Sequence, residues 1–201
     1  MRFFVLTFLL LTLSLTAHAI EAPSGQTVVD AGKILRGHFV EEHQLGNGQM
    51  PMQTSGHFVV APAEGLIWGI EKPFPTLTIV TPHAAVQDLG GLVIKLPAKN
   101  LRHLYDMVGG ALAGDWHNLE SDFTITKSGG AAHWQMVLTP LPDGQHKLPY
   151  KVITVSGSRF VEDIVLTKAD GNIDMFTFSD ETLAAAPPTP QESATFGEAA
   201  R

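Results

Sequence analysis

From Leu35 onward the chain consists largely of short runs in which apolar and polar side chains alternate, punctuated by Gly, Pro, Asn and Asp. A period of two puts one set of side chains on one face of a strand, so the pattern predicts a succession of β-strands. Leu35, Phe39, Glu41, His43 and Leu45 alternate with Arg36, His38, Val40, Glu42 and Gln44, an imperfect strand for which a helix is the alternative. Residues 46–51 make a turn. Phe58 and Val60 share one face of a strand over 55–61, and residues 62–65 turn the chain. Leu66, Trp68 and Ile70 share the face of the next strand, and Leu77 and Ile79 follow a break at Lys72-Pro73-Phe74-Pro75. Further strands are predicted over 119–127, 133–141, 148–155, 160–168 and 172–179. The last four are joined by hairpin turns, which makes the sheet mostly antiparallel.

A different period governs residues 96–116. Leu101, Leu104, Tyr105, Val108, Ala111 and Leu112 recur every three or four positions, one stripe of an amphipathic helix. Pro97 suits its first turn and Gly114 its C-terminal stop. Gly109-Gly110 lies inside the stripe, at a cost of ~1 kcal/mol each relative to Ala. The pair either lets the helix approach a sheet closely or leaves it a weak point. A brief helix is also expected over 27–33, capped by Ser24 or Thr27.

The two ends read differently from the middle. Met1-Arg2 precede an apolar run over 3–16, and Ala17-His18-Ala19 follow with small residues at the −3 and −1 positions of a cleavage site. This is the layout of a secretory signal peptide, and the run is shorter than the ~20 residues a membrane-spanning helix needs. The expected organisation is a signal peptide over 1–19 and one domain over 20–183. The Ala/Pro-rich segment 184–201 is expected to be a disordered tail. The chain contains no Cys, so an exported fold of this size is expected to be held by its core alone.

Charge and candidate chemistry narrow the function mainly by exclusion. A formal net charge of −7 and the lack of any Lys/Arg block argue against nucleic acid. His38, His43, His57, His83, His103, His117, His133 and His146 show neither H-x-x-x-H nor H-x-H spacing, so no metal site is expected. There is no G-x-S-x-G elbow, and neither Gly90-Gly91 nor Gly129-Gly130 carries a P-loop Lys. Glu41-Glu42 and the Asp115/Glu120/Asp122 group read as a solvated strand edge or a helix cap. No catalytic residue and no cofactor are predicted. A sheet curled around one helix has an apolar interior that either holds a lipid or simply packs as a core.

Three runs add to this reading. The first is Leu35-Arg36-Gly37-His38-Phe39-Val40-Glu41 followed by residues 54–68, with Phe39, Gly56, Phe58, Pro62, Leu66, Trp68 and Pro73 at the matching positions. The second runs from Leu112-Ala113-Gly114-Asp115 through Leu119 and Phe123. The third spans Lys168 to Asn172 and Phe176 to Ser179. In this order, behind a signal peptide, the chain resembles the LolA-like outer-membrane lipoprotein carriers over about residues 27–182.

The resemblance implies an α+β fold: an incompletely closed, mostly antiparallel β-barrel with a helical lid over an apolar cavity. It implies a monomeric periplasmic carrier, not an enzyme, that binds acyl chains of lipoproteins or another lipid and shuttles them toward the outer membrane. The implied partners are an inner-membrane donor complex and an outer-membrane acceptor. Candidate lipid-binding residues are Phe39, Phe58, Val60, Leu66, Trp68, Ile79, Trp134, Met136 and Leu138 on strands, with Leu101, Leu104, Val108 and Leu112 on the helix. The chain departs from the family pattern at Ala61-Pro62, where the family has Arg-Pro, and at Glu41, where the family has Gln. The Arg that pins the family's lid is therefore not carried over, and the cargo stays open between a lipoprotein and another lipid. The alternative is an envelope sensor or assembly factor that binds a protein on the same half-barrel.

Overall fold

In the computed structural model, described for residues 22–46, 48–96, 100–142 and 149–199, the period-two runs form eleven strands. Residues 1–19, expected to be a signal peptide, lie outside the described residues, as do the side chains of residues 100–106 and 118. The first half of the chain forms β1 (Lys33–Gln44), β2 (Met52–Ala61), β3 (Gly65–Lys72), β4 (Thr76–Val80), β5 (Ala85–Asp88) and β6 (Val93–Lys95). Then come α1 (Asn100–Ala113) and a single 3-10 turn (His117–Leu119). The second half forms β7 (Phe123–Gly130), β8 (His133–Pro140), β9 (Tyr150–Gly157), β10 (Val161–Lys168), β11 (Ile173–Ala185) and α2 (Pro190–Glu198).

All the strands belong to one antiparallel sheet in the order β6-β5-β4-β3-β2-β1-β11-β10-β9-β8-β7. Two meanders are thus sewn together by β1 and β11, which pair from Lys33↔Ala185 to Gln44↔Ile173. Among the described residues nothing pairs β6 with β7, so the sheet is open. Helix α1 carries the chain from one edge to the other across the inner face. Pro97, expected in its first turn, lies outside the described residues; the stop of the helix follows the sequence, because α1 ends at Ala113 and Gly114 takes the left-handed conformation (φ +76°) that closes a helix at little steric cost.

Two layers of apolar side chains result. The inner face of the sheet and the buried side of α1 share one core, which includes Leu35, Phe39, Phe58, Trp68, Leu112, Trp134, Met136, Ile153, Ile164 and Phe178. Leu35 and Phe39, four residues apart, share this face as a period of two requires, and the irregularity in the β1–β11 pairing leaves Asp180 and Glu181 of β11 opposite Gly37. A side chain at Gly37 would sit 2.7 Å from the Phe58 ring, so the glycine leaves room for that ring. On the outer face a smaller cluster gathers Ile34, Val59, Ile67, Ile79 and Val86 under Phe196 and Ala199.

Two expectations are corrected here. Residues 27–33 do not form the expected helix, and Lys33 already begins β1. The Thr27 and Val29 amides donate instead to Arg159 O (2.8 Å) and Ala113 O (2.8 Å), the second of which serves a carbonyl at the end of α1. The segment 184–201 is not wholly disordered, because β11 runs to Ala185 and Pro190–Glu198 form α2. Thr189 and Glu192 make a reciprocal capping box, Pro190 occupies the first turn, and Phe196 is buried on the outer face of the sheet. The Ala/Pro composition hid a short helix whose stability comes from tertiary contact.

Candidate functional site

The inner face is built in rows across the sheet. Near one end Leu35 lies between Val60 and Leu183. The next rows bring Phe58, then Phe39 beside Phe178. Trp68 joins them from β3. Its ring stacks on Phe39 at 3.9 Å between centroids and meets Phe176 edge-on at 5.9 Å. Phe58 meets Phe178 edge-on at 5.6 Å. Phe39, Phe58, Val60, Leu66, Trp68, Trp134, Met136 and Leu138 are therefore brought together on one face, with Val108 and Leu112 opposite them on α1. Leu101 and Leu104 belong to α1, but their side chains lie outside the described residues.

Ile79 is the exception. It lies in the outer cluster with Ile67 and Phe196, while Thr78 and Val80 of the same strand are the buried residues of the opposite face. Alternation made Ile79 a reasonable choice, but a slip of one residue exchanges the faces of a strand, and here α2 makes the outer face apolar too.

From Met107 onward, helix α1 closes tightly on this surface. Among the described residues, the hollow between Met107, Val108 and Ala111 of α1 and Leu138, Ile153, Val155 and Ile164 of the sheet measures about 10 Å³. That leaves room for no more than one water. The C-terminal end of α1 is tied down. Buried Gln26 donates from Nε2 to Ala111 O (2.8 Å) and accepts from Trp116 Nε1 (3.0 Å), and the Val29 amide donates to Ala113 O. Nothing in the sequence pattern marked Gln26. It lies in a polar lead, and its role depends on a carbonyl 85 positions away and an indole N–H 90 positions away.

At one end of the sheet the inner face changes character. Beyond Phe39 the same side of β1 carries Glu41 and His43, opposite Phe176 and Asp174 of β11. The Thr54 hydroxyl donates to Glu41 Oε2 at 3.0 Å. His43 Nδ1 is hydrogen-bonded to Asp174 Oδ1, and Lys168 Nζ lies 2.7 Å from Asp174 Oδ2. Burial pushes the Glu41 carboxyl above its ordinary range, and the nearby Asp174 charge pushes it the same way. Burial likewise raises the Tyr150 hydroxyl. Glu41 and Glu42 were expected to form one solvated pair. Strand geometry separates them: Glu41 turns inward and Glu42 outward, where it accepts from Gln53 Nε2 at 3.3 Å.

Around this polar row the end of the sheet is apolar. The turns β1–β2, β3–β4, β5–β6, β8–β9 and β10–β11 all lie at this end, as the pairing registers require. They or the strand ends beside them expose Met50 (89%), Met52, Phe74 (79%), Leu89, Leu92, Val93 and Leu141. Among the described residues no group of three or more His, Asp or Glu is arranged to hold a metal ion. No helix among them is long and apolar enough to cross a membrane.

No family model and no curated protein matches the sequence. Among solved structures the chain is similar to a LolA superfamily protein from Nitrosomonas europaea, at 9% identity and a TM-score of 0.45, covering 82% of this chain and 91% of that one. It is similar to an outer membrane lipoprotein-sorting protein domain from Vibrio parahaemolyticus, at 10% identity and a TM-score of 0.43, covering 87% and 94%. It is also similar to a chain of the MucA/MucB complex of Pseudomonas aeruginosa, at 16% identity and a TM-score of 0.44. That match covers 79% of this chain and 54% of the other.

Proposed function

We propose that the protein is a periplasmic, non-enzymatic carrier that takes the acyl chains of a lipoprotein or another lipid onto the inner face of its open sheet. The observation that carries this reading is the continuous apolar and aromatic inner face, which gives way at one end to a polar row beside a rim of exposed apolar side chains. The sequence resemblance to lipoprotein carriers supports it. An acyl chain gains ~0.8 kcal/mol per methylene moved out of water, so a face of this kind needs no covalent step or cofactor to hold one. The space under the described C-terminal half of α1 is filled, so loading there requires α1 to lift. Gln26 and Val29 hold its C-terminal end, which makes the N-terminal end the part that moves. Gly109-Gly110 lies between the two ends and lowers the cost of bending there.

A second reading, a protein-binding envelope factor, is favoured by β6. This short edge strand exposes Val93 and Ile94, as a strand that accepts a partner by β-addition would. Lipid extraction and mass spectrometry of protein recovered from a periplasmic extract separate the two. Co-purifying lipid near one per chain, displaced by a fluorescent fatty acid, is expected of the carrier. Lipid-free protein with no affinity for the fluorescent fatty acid refutes it.

A further inference from the structure

Between the aromatic inner face and the exposed rim lies a row of polar side chains that a simple apolar trough does not require. Its charges are unevenly matched. Asp174 has both carboxylate oxygens engaged, Oδ1 by His43 and Oδ2 by Lys168 at 2.7 Å. Glu41, in the adjacent row, receives a single hydroxyl hydrogen bond from Thr54 and no ion pair among the described residues. Its carboxyl is partly buried beside Phe176, two residues along β1 from the Phe39 ring that stacks on Trp68. A half-buried carboxylate without a cation of its own is costly, and the positive groups nearest to it, His43 and Lys168, are both bound to Asp174.

We propose that Glu41, with Thr54 at its side, is the head-group site of the inner face and takes the primary ammonium group of an amphiphile whose chain lies over Phe39 and Trp68. The inference rests on the carrier reading and names the class of its ligand. The ammonium gives Glu41 its missing partner through one charge-assisted hydrogen bond. Asp174, already neutralised by Lys168, does not compete for it. The alkyl chain continues along the row of rings, which ends where Glu41 begins. A fatty carboxylate would meet Glu41 head-on and is disfavoured at the same place.

The test compares three probes of equal chain length, dodecylammonium, dodecanol and dodecanoate, by displacement of a fluorescent acyl probe from the full mature protein. Wild-type protein is expected to bind dodecylammonium at least tenfold more tightly than dodecanol, and dodecanoate most weakly. Glu41→Gln keeps the acceptor for Thr54 and the shape of the side chain. It is expected to bring dodecylammonium to within about twofold of dodecanol while leaving dodecanol affinity unchanged. Glu42→Gln removes the same charge from the outer face and is expected to keep the preference, which separates a local site from the net negative charge of the molecule. Equal binding of ammonium and alcohol by wild-type protein, or a preference that survives Glu41→Gln or is lost equally in Glu42→Gln, overturns the head-group site and leaves the carrier reading standing. Failure of all three probes to bind overturns the carrier reading itself.

Discussion

Replacing Glu192 by Gln tests whether the C-terminal segment is part of the fold. Arg36 of β1 donates from Nε to Glu192 Oε1 at 2.6 Å and from Nη2 to Oε2 at 2.6 Å. The same carboxylate accepts the Thr189 amide at 2.8 Å, so one side chain caps α2 and fastens it to the sheet. Arg36, and after it the capping bonds, hold the Glu192 carboxyl at about 2 against an ordinary 4.5. By linkage at 1.36 kcal/mol per decade this is worth roughly 3 kcal/mol at neutral pH. The Arg36 side chain keeps 27% of its surface in water, so screening reduces the expected contribution to about 1–2 kcal/mol. A depressed folded-state pKa contributes fully above about 4.5 and is lost as the pH falls toward 2. The gap between wild type and Glu192→Gln is therefore expected to be largest at pH 7, to shrink below pH 4.5 and to close near pH 2. Helix α2 is terminal and can undock by itself. The direct readout is thus hydrogen exchange of the 193–198 amides, with denaturant unfolding as the second measurement. Wild-type amides that exchange as fast as those of a free peptide, or a gap of the same size at pH 7 and pH 2, would refute the reasoning.

Three further outcomes are expected. Leu112→Ala removes a side chain that is 1% exposed beneath α1 and should cost about 2–4 kcal/mol in urea unfolding with little change in slope. Gly109→Ala should stabilise by up to ~1 kcal/mol and slow release of a fluorescent acyl chain, because among the described residues the added methyl would meet only Leu66 at 3.9 Å. Gly110→Ala, which the sequence alone suggests would stiffen the helix in the same way, would press on the Asp115 carbonyl at 2.9 Å and should be neutral or destabilising in thermal melts. Excess chelator should leave the melting temperature unchanged, and a shift of several degrees would reveal a metal the side-chain arrangement does not suggest.

Local pattern in the sequence was enough to determine the strand-rich chain, the amphipathic helix near its middle with its stop at Gly114, and the antiparallel hairpins. It also determined most of the inner face, because Phe39, Phe58, Val60, Leu66, Trp68, Trp134, Met136 and Leu138 each lie on the apolar side of a period-two run. Such a period reports that a strand has two faces; it does not report what covers each one. Tertiary structure alone placed Ile79 on the outer face, because a helix from the far end of the chain makes that face apolar as well. It alone turned a Pro-rich tail into α2, since Phe196 and Glu192 acquire partners only when β2, β3 and β1 are already assembled. The same holds for the polar row. Glu41, Thr54, His43, Asp174 and Lys168 come from four strands, and only the registers of β1 with β2 and β11 put an unmatched carboxylate at the end of a row of rings. The β1–β11 register joins the first strand to the last, and contacts of that separation are fixed by the closing of the whole sheet, to which no short window of sequence has access.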